Sequence, residues 1–279
     1  MTDQARHSLW RRLVRSPRIA FGTALLAALA LVCIGAPILT PYDPTQQQIG
    51  QALAVSSPSH PLGTDGLGRD VLARLLYGGR YSMVLGLLAV LIGVGVGLPT
   101  GSSSGYIGGW YDLIMQRFTD ILLAFPGILL ALALVAGLGI GLRNVVIAVG
   151  ISSIPGFVRL ARASALSARE LEYVEAAKAL GLSSWAIVLR HIIPECLPST
   201  VVQATLQIGT AILVAAGLGF LGLGVQPPTP EWGSMLGDAR NYIFRSPQLS
   251  TYPGMAIFLV VMGFNVLGDG LRDVLDPQL

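Results

Sequence analysis

Six long stretches of this chain carry no charged side chain, and they restrict its fold more than any other feature. The charge-free intervals are 24 residues between Arg18 and Asp43, 31 between Arg80 and Asp112, 22 between Asp120 and Arg143, 15 between Arg143 and Arg159, 35 between Glu195 and Glu231, and 23 between Arg245 and Asp269. A helix crosses the hydrocarbon core of a bilayer with about 20 apolar residues. Five intervals exceed that length. The fourth is shorter, but Asn144 and Arg159 can lie at the membrane interface, so it too is counted as a span. Composition agrees, since 53% of the 279 residues are hydrophobic and only 12% are charged, about half the roughly 25% of a soluble domain. The pattern predicts an all-α integral membrane protein with six transmembrane helices.

The first apolar run, Ile19 to Leu39, follows Arg11, Arg12, Arg15 and Arg18. It is longer than the about 7–15 residues of a secretion-signal core, and no small-residue cleavage site follows, so it reads as a retained anchor. Placing both termini on one side puts 12 of the 18 Lys and Arg residues in the loops of that side and 6 in the others. The cation-rich side is the cytoplasmic one. The chain then divides into an N-terminal amphipathic segment (1–18), the first span (19–39), an extracytoplasmic segment (40–80) and a core (81–279). In the first of these, Leu9, Trp10, Leu13 and Val14 alternate with arginines, as expected of a short helix lying on the inner membrane surface.

In the extracytoplasmic segment, Asp65-Gly66 marks a turn. Val71, Leu72, Leu75 and Leu76 recur at helical spacing, and Gly78-Gly79 reads as a stop, which predicts a short amphipathic helix on the outer face. In the second span, Gly93, Gly97, Gly101 and Gly105 stand four residues apart and give one face to close helix packing. Cys33 and Cys196 lie in or beside apolar runs and read as small core residues. Three scattered histidines and no C-x-x-C argue against a metal site. The net charge of +3, without a basic face, argues against nucleic acid.

Two apparent motifs lack their context. Gly217 to Gly222 matches G-x-G-x-x-G but ends an apolar helix, whereas that fingerprint needs a strand before it. Gly101 to Gly105 matches G-x-S-x-G, which would make Ser103 and His191 the dyad of an intramembrane protease, but Ser103 has no strand-to-helix turn to expose it. The only lysine, Lys178, sits in Ala-Ala-Lys-Ala, so no phosphate loop is present. No span centre carries the ionisable group that an ion-coupled carrier needs. The energy for any transport must come from another chain.

Against this background, Glu172 to Glu195 concentrates charge: Glu172, Glu175, Lys178, Arg190, His191 and Glu195 surround Ala176-Ala177 and Gly181. Gly181 is a natural helix stop, and Ser183 can cap a second helix running to Pro194. Two helices meeting at a glycine corner, with small residues flanked by carboxylates, form a shape that fits a partner's groove.

These residues also carry a resemblance. Glu175-Ala176-Ala177, Gly181 and Ile193-Pro194 resemble the EAA loop of binding-protein-dependent ABC transporter permeases, here placed at about 160–195. "RHIIP" is similar to the form in the dipeptide, oligopeptide and nickel subfamily, although His191 stands where the broad motif usually has Ile. "HPLGTDGLGRDVLARLLYGGRYS", "RFTDILLAFPGILLAL" and "GLGFLGLGVQPPTPEWGSML" resemble its C-type subunit. The resemblance implies a type I importer permease that is not itself an enzyme. Its implied partners are a second homologous permease, two cytoplasmic ATPases that bind ATP and Mg, and an extracytoplasmic binding protein. Glu172, Glu175, Ala176, Ala177, Gly181 and Pro194 would couple to the ATPases. Asp65, Gly68, Arg69, Asp70, Pro227, Pro228 and Trp232 would shape the outer face. Cargo stays open among dipeptides, longer peptides, glutathione-like compounds and nickel chelates.

Overall fold

The computed structural model describes residues 15–275. The predicted surface helix with Leu9, Trp10, Leu13 and Val14 lies outside them. Among the described residues, helices account for nearly all regular structure, and the β geometry is a single isolated bridge between Thr64 and Asp70. The principal helices are α1 (Pro17–Ile34), α2 (Val71–Ile107), α3 (Gly109–Leu123), α4 (Gly127–Leu138), α5 (Leu142–Ala168), α6 (Glu172–Ala179), α7 (Ser184–Phe220), α8 (Trp232–Ala239) and α9 (Gln248–Leu275). Five of them (α1, α2, α5, α7 and α9) are long and apolar enough to cross a membrane. The pair α3 and α4 supplies the sixth span if its bend is counted as one crossing.

The most extensive contact joins α2 to α5. Every glycine of the predicted ladder faces that contact. A Cβ on Gly97 would lie 2.5 Å from the Phe157 Cβ, one on Gly101 2.8 Å from the Ala161 Cβ, and one on Gly105 2.9 Å from the Ala165 Cβ. Helix α7 packs across both, and α9 packs on α7 and carries α1. The central apolar cluster draws Leu85, Ala89 and Val90 from α2, Val145, Val149 and Phe157 from α5, and Ala211, Ala215 and Leu218 from α7.

The structure adds to or corrects the sequence reading at three places. The stop at Gly78-Gly79 does not occur, because α2 runs unbroken for 37 residues. Both glycines are buried, and a Cβ on Gly79 would lie 2.5 Å from Cys33 Sγ and 2.6 Å from the Trp232 ring. Close packing uses the missing Cβ there, and the gain outweighs the roughly 1 kcal/mol by which glycine disfavours a helix. The third span is not straight. It bends by 89° between α3 and α4, because Pro126 has no N–H and its ring biases Phe125 away from helical geometry. Finally, the helix after Ser183 does not end at Pro194. A π turn over Val188–Ile192 opens the hydrogen-bond ladder where Pro194 has no donor to offer, and α7 continues to Phe220. The fourth span is present and longer than its charge-free interval, at 27 residues.

Ion pairs tie α3 to α5. Asp112 accepts Arg162 Nε and Nη2, both at 2.7 Å, and Asp120 accepts Arg159 Nη2 at 2.9 Å. Gly101→Leu should drive the new side chain into the α5 backbone and cost about 3 kcal/mol. Gly95→Leu, on the same helix with open space around its Cβ, should be tolerated. Thermal unfolding of the detergent-purified variants checks this, with a marked fall in midpoint expected for Gly101→Leu alone.

Candidate functional site

The charged stretch forms a corner at the Ile107 end of α2. After Ala168 the chain breaks, and α6 restarts with Glu172 and Glu175 in its first turn and Lys178 in its last, each at the end its charge favours. Val174 and Ala177 turn inward against Ala165, Ala168, Ile187, Ile192 and Cys196. Glu172, Glu175, Ala176 and Gly181 are exposed. The predicted low surface is therefore Ala176 and Gly181, while Ala177 anchors α6 to the bundle.

Gly181 has φ +81° with no neighbour within 4 Å of an added Cβ. The Leu182 N–H reaches back to the Ala177 carbonyl at 3.2 Å, and the Gly181 N–H to that of Lys178 at 3.0 Å, closing the end of α6 as a left-handed glycine cap does. Ser183 Oγ accepts the Ala186 N–H at 3.3 Å and starts α7 as expected. Leu180, Trp185 and Leu189 stand exposed around the corner. A polar joint holds α6 to α7: the Tyr173 hydroxyl donates to Glu195 Oε2 at 3.2 Å, and its ring lies 6.0 Å from that of His191. Partial burial, then the charge of Glu195, pushes the Tyr173 phenol above its ordinary value. Pro194 is exposed just beyond the π turn.

The residues predicted for the outer face gather at the opposite end of α2. Asp65 Oδ1 accepts the backbone N–H groups of Leu67 and Arg69 at 2.9 and 3.0 Å, and its Oδ2 accepts Arg69 Nε at 2.6 Å. Arg69 Nη2 continues to Asp238 at 3.1 Å, and Arg74 Nε lies 3.4 Å from Asp65. Gly68 has φ +73°, and a Cβ there would collide with the Gln48 carbonyl. Asp70 caps α2 by accepting the Ala73 N–H at 2.7 Å, and it also meets His60 Nδ1 at 2.8 Å. Trp232 donates Nε1–H to the Leu75 carbonyl at 2.9 Å, and Arg74 Nη1 reaches the Pro228 carbonyl at 3.4 Å. Pro227 and Pro228 are exposed, whereas Arg69, Asp70 and Trp232 are buried. The cluster therefore fastens the segment before α2 from within, and its proline rim and Asp238 meet the surroundings.

Glu231 escaped the sequence reading. Only 2% exposed, it accepts Ser82 Oγ at 2.9 Å and the N–H groups of Gly233 and Ser234 at 2.8 and 2.9 Å. Burial pushes its carboxyl up, and these three donors oppose the shift. A carboxylate directly before an apolar helical turn is a capping signal that could have revealed it. Ser103, by contrast, donates within its own helix to the Pro99 carbonyl at 2.7 Å and meets the Tyr111 hydroxyl at 2.9 Å. It is a link between α2 and α3. Both cysteines are free and buried.

Known proteins with the same features agree with one another. Residues 97–279 match the family described as binding-protein-dependent transport system inner membrane component, and residues 6–58 match the N-terminal TM domain of oligopeptide transport permease C. The glutathione transport system permease protein GsiD of Pectobacterium atrosepticum is 46% identical over 272 residues, covering 97% of this chain and 90% of that one. Its namesake from Escherichia coli O6:K15:H31 is 45% identical over 282 residues, covering 99% and 93%. Among solved structures, an inward-facing form of the MetNI methionine ABC transporter shares the fold with a TM-score of 0.57 at 21% identity, covering 72% of this chain and 96% of that one. The chain belongs to the binding-protein-dependent transport system inner membrane components: it is a non-catalytic, multi-pass inner-membrane permease subunit of an ABC importer, working with a partner permease, a separate ATPase and a binding protein.

Proposed function

We propose that this permease imports peptides or peptide-like solutes, and that the corner between α6 and α7 is where it receives force from the ATPases. The observation that carries the second part is the division of labour within α6. Val174 and Ala177 bind it to the bundle core, while Glu172, Glu175, Ala176 and Gly181 stay exposed. An anchored helix with carboxylates and small residues outward fits a partner's groove and passes its movement directly to α5 and α7. Pro194, next to the π turn, lies where the corner joins the long part of α7.

In this reading one further, similar permease completes the solute path, and two ATPases bind ATP and Mg on the cytoplasmic side. An extracytoplasmic binding protein delivers the cargo at the end held by Asp65, Arg69, Asp70 and the rim of Pro227 and Pro228. Both termini of the chain lie in the cytoplasm, as the 12-to-6 distribution of Lys and Arg favours. The peptide assignment draws support from the relatives, which are named for glutathione transport, and from the match of residues 6–58 to an oligopeptide permease domain.

Two experiments test this reading. A Cβ at Gly181 meets no neighbour within 4 Å, so Gly181→Asp carries chiefly the about 1–2 kcal/mol of left-handed strain and should insert and accumulate normally. ATP-driven uptake by the assembled transporter should nonetheless be lost, with fewer ATPases recovered on purification, and Glu175→Lys should behave alike. Wild-type uptake in both variants would refute the docking role. Separately, topology reporters fused after Gly50 and after Gln248 should read outside, and those after Arg169 and Leu279 inside. An outside signal at Arg169 would place the corner beyond the reach of any cytoplasmic ATPase.

A further inference from the structure

One face of α7 carries Glu195, Ser199, Gln203 and Gln207, each four residues from the last. At 3.6 residues per turn they form a polar track climbing an otherwise apolar span. Elsewhere on α7, two hydroxyls are satisfied locally: Thr200 donates to the Cys196 carbonyl at 2.7 Å and Thr205 to that of Val201 at 2.9 Å. The amides of Gln203 and Gln207 are half-buried, and among the described residues they have no such partner. Polar groups within a span are tolerated where they face water, protein or solute, not acyl chains.

Helices α5 and α9 stand on either side of this face and leave a groove of about 780 Å³, within the roughly 300–1,000 Å³ of small-molecule sites. Its polar lining is Ser164 and Ser167 from α5, Glu195, Ser199 and Gln203 from α7, and Arg272 from α9. Ser164 and Ser199 touch through their hydroxyls at 3.1 Å across the floor. The lining holds one acid, one base and neutral hydrogen-bonding groups between them. A polyphosphate would need several cations, and an apolar solute would leave the Gln203 amide unpaired. A solute with one ammonium, one carboxylate and amides in between complements this polar lining.

We propose that this groove is the chain's share of the solute path at the α6 end, and that it takes a small zwitterionic, amide-containing solute. The ammonium is directed at Glu195, the carboxylate at Arg272, and the amides at Gln203 and the serines. The proposal rests on the importer reading above and adds to it a location and the charge pattern by which the solute is held.

The test uses the complete transporter in vesicles, free of nucleotide. Membrane-impermeant anionic and cationic methanethiosulfonates are applied from the side that bears the ATPases. Gln203→Cys should react with both reagents. Val201→Cys, 46% exposed but on the opposite face of α7, should stay unreactive because it meets lipid. Trialanine should slow labelling of Gln203→Cys about tenfold, equivalent to about 1.4 kcal/mol of occupancy, whereas its N-acetyl amide should not. Adding Glu195→Gln should favour the anionic reagent, and adding Arg272→Gln the cationic one. An unreactive Gln203→Cys, or equal labelling at Val201→Cys, would remove the groove from the path. Equal protection by trialanine and its capped form, or none by either, would overturn the zwitterion class. Wild-type uptake by Gly181→Asp would instead count against the docking role alone and leave these outcomes standing.

Discussion

The architecture depends on how closely α2 approaches α5. In a bilayer, burying apolar side chains between helices gains little, because lipid tails are as apolar as leucine. Dispersion contacts and interhelical polar links must therefore hold the bundle together. Four glycines on one face of α2 let the two backbones come near enough for those contacts to add up over several turns. Where the glycine face ends, Arg162 turns from α5 to Asp112 and brings α3 into the same unit. Helix α7 packs across this pair, so the corner, the polar track and the groove all take their positions from one close crossing.

The two ends of α2 use charge in opposite ways. Near Asp70 the carboxylates and guanidinium groups of Asp65, Arg69, Arg74 and Asp238 are turned on one another and mostly buried. Removing one partner from such a group leaves an uncompensated charge and typically costs about 3–5 kcal/mol, so that end is locked. Near Ile107 the carboxylates of Glu172 and Glu175 are exposed, and solvent screens them. The proposed coupling role uses this difference, with one firm end and one end free to engage.

Between these ends, α7 serves in the proposed reading as both lever and lining. Its π turn and the joint from Tyr173 to Glu195 connect it to the corner, and its next turns carry Ser199 and Gln203 into the groove. Glu195 belongs to both arrangements, since it receives the Tyr173 hydroxyl and lines the groove mouth. In the proposed reading, movement of the corner reaches the groove through a single helix turn.

What the residues alone determined follows from local rules. Charge-free intervals set the spans, because charge is excluded from hydrocarbon over a known thickness. Four-residue spacing of glycines marked the close crossing, and the need for a left-handed residue marked the corner at Gly181. These effects require only the chain's own periodicity and backbone preferences. What the tertiary structure decided is how glycine and proline were used. Gly78-Gly79 has the signature of a helix stop, yet it accommodates Cys33 and Trp232, residues 45 or more positions away in the chain. Pro194 resembles an end and is absorbed by a π turn, while Pro126 breaks its span outright. The partner of Arg162 and the enclosure of Glu231 likewise came from distant elements. Local sequence sets the options open to such residues, and the choice among them rests on packing energy supplied by neighbours that only folding brings together.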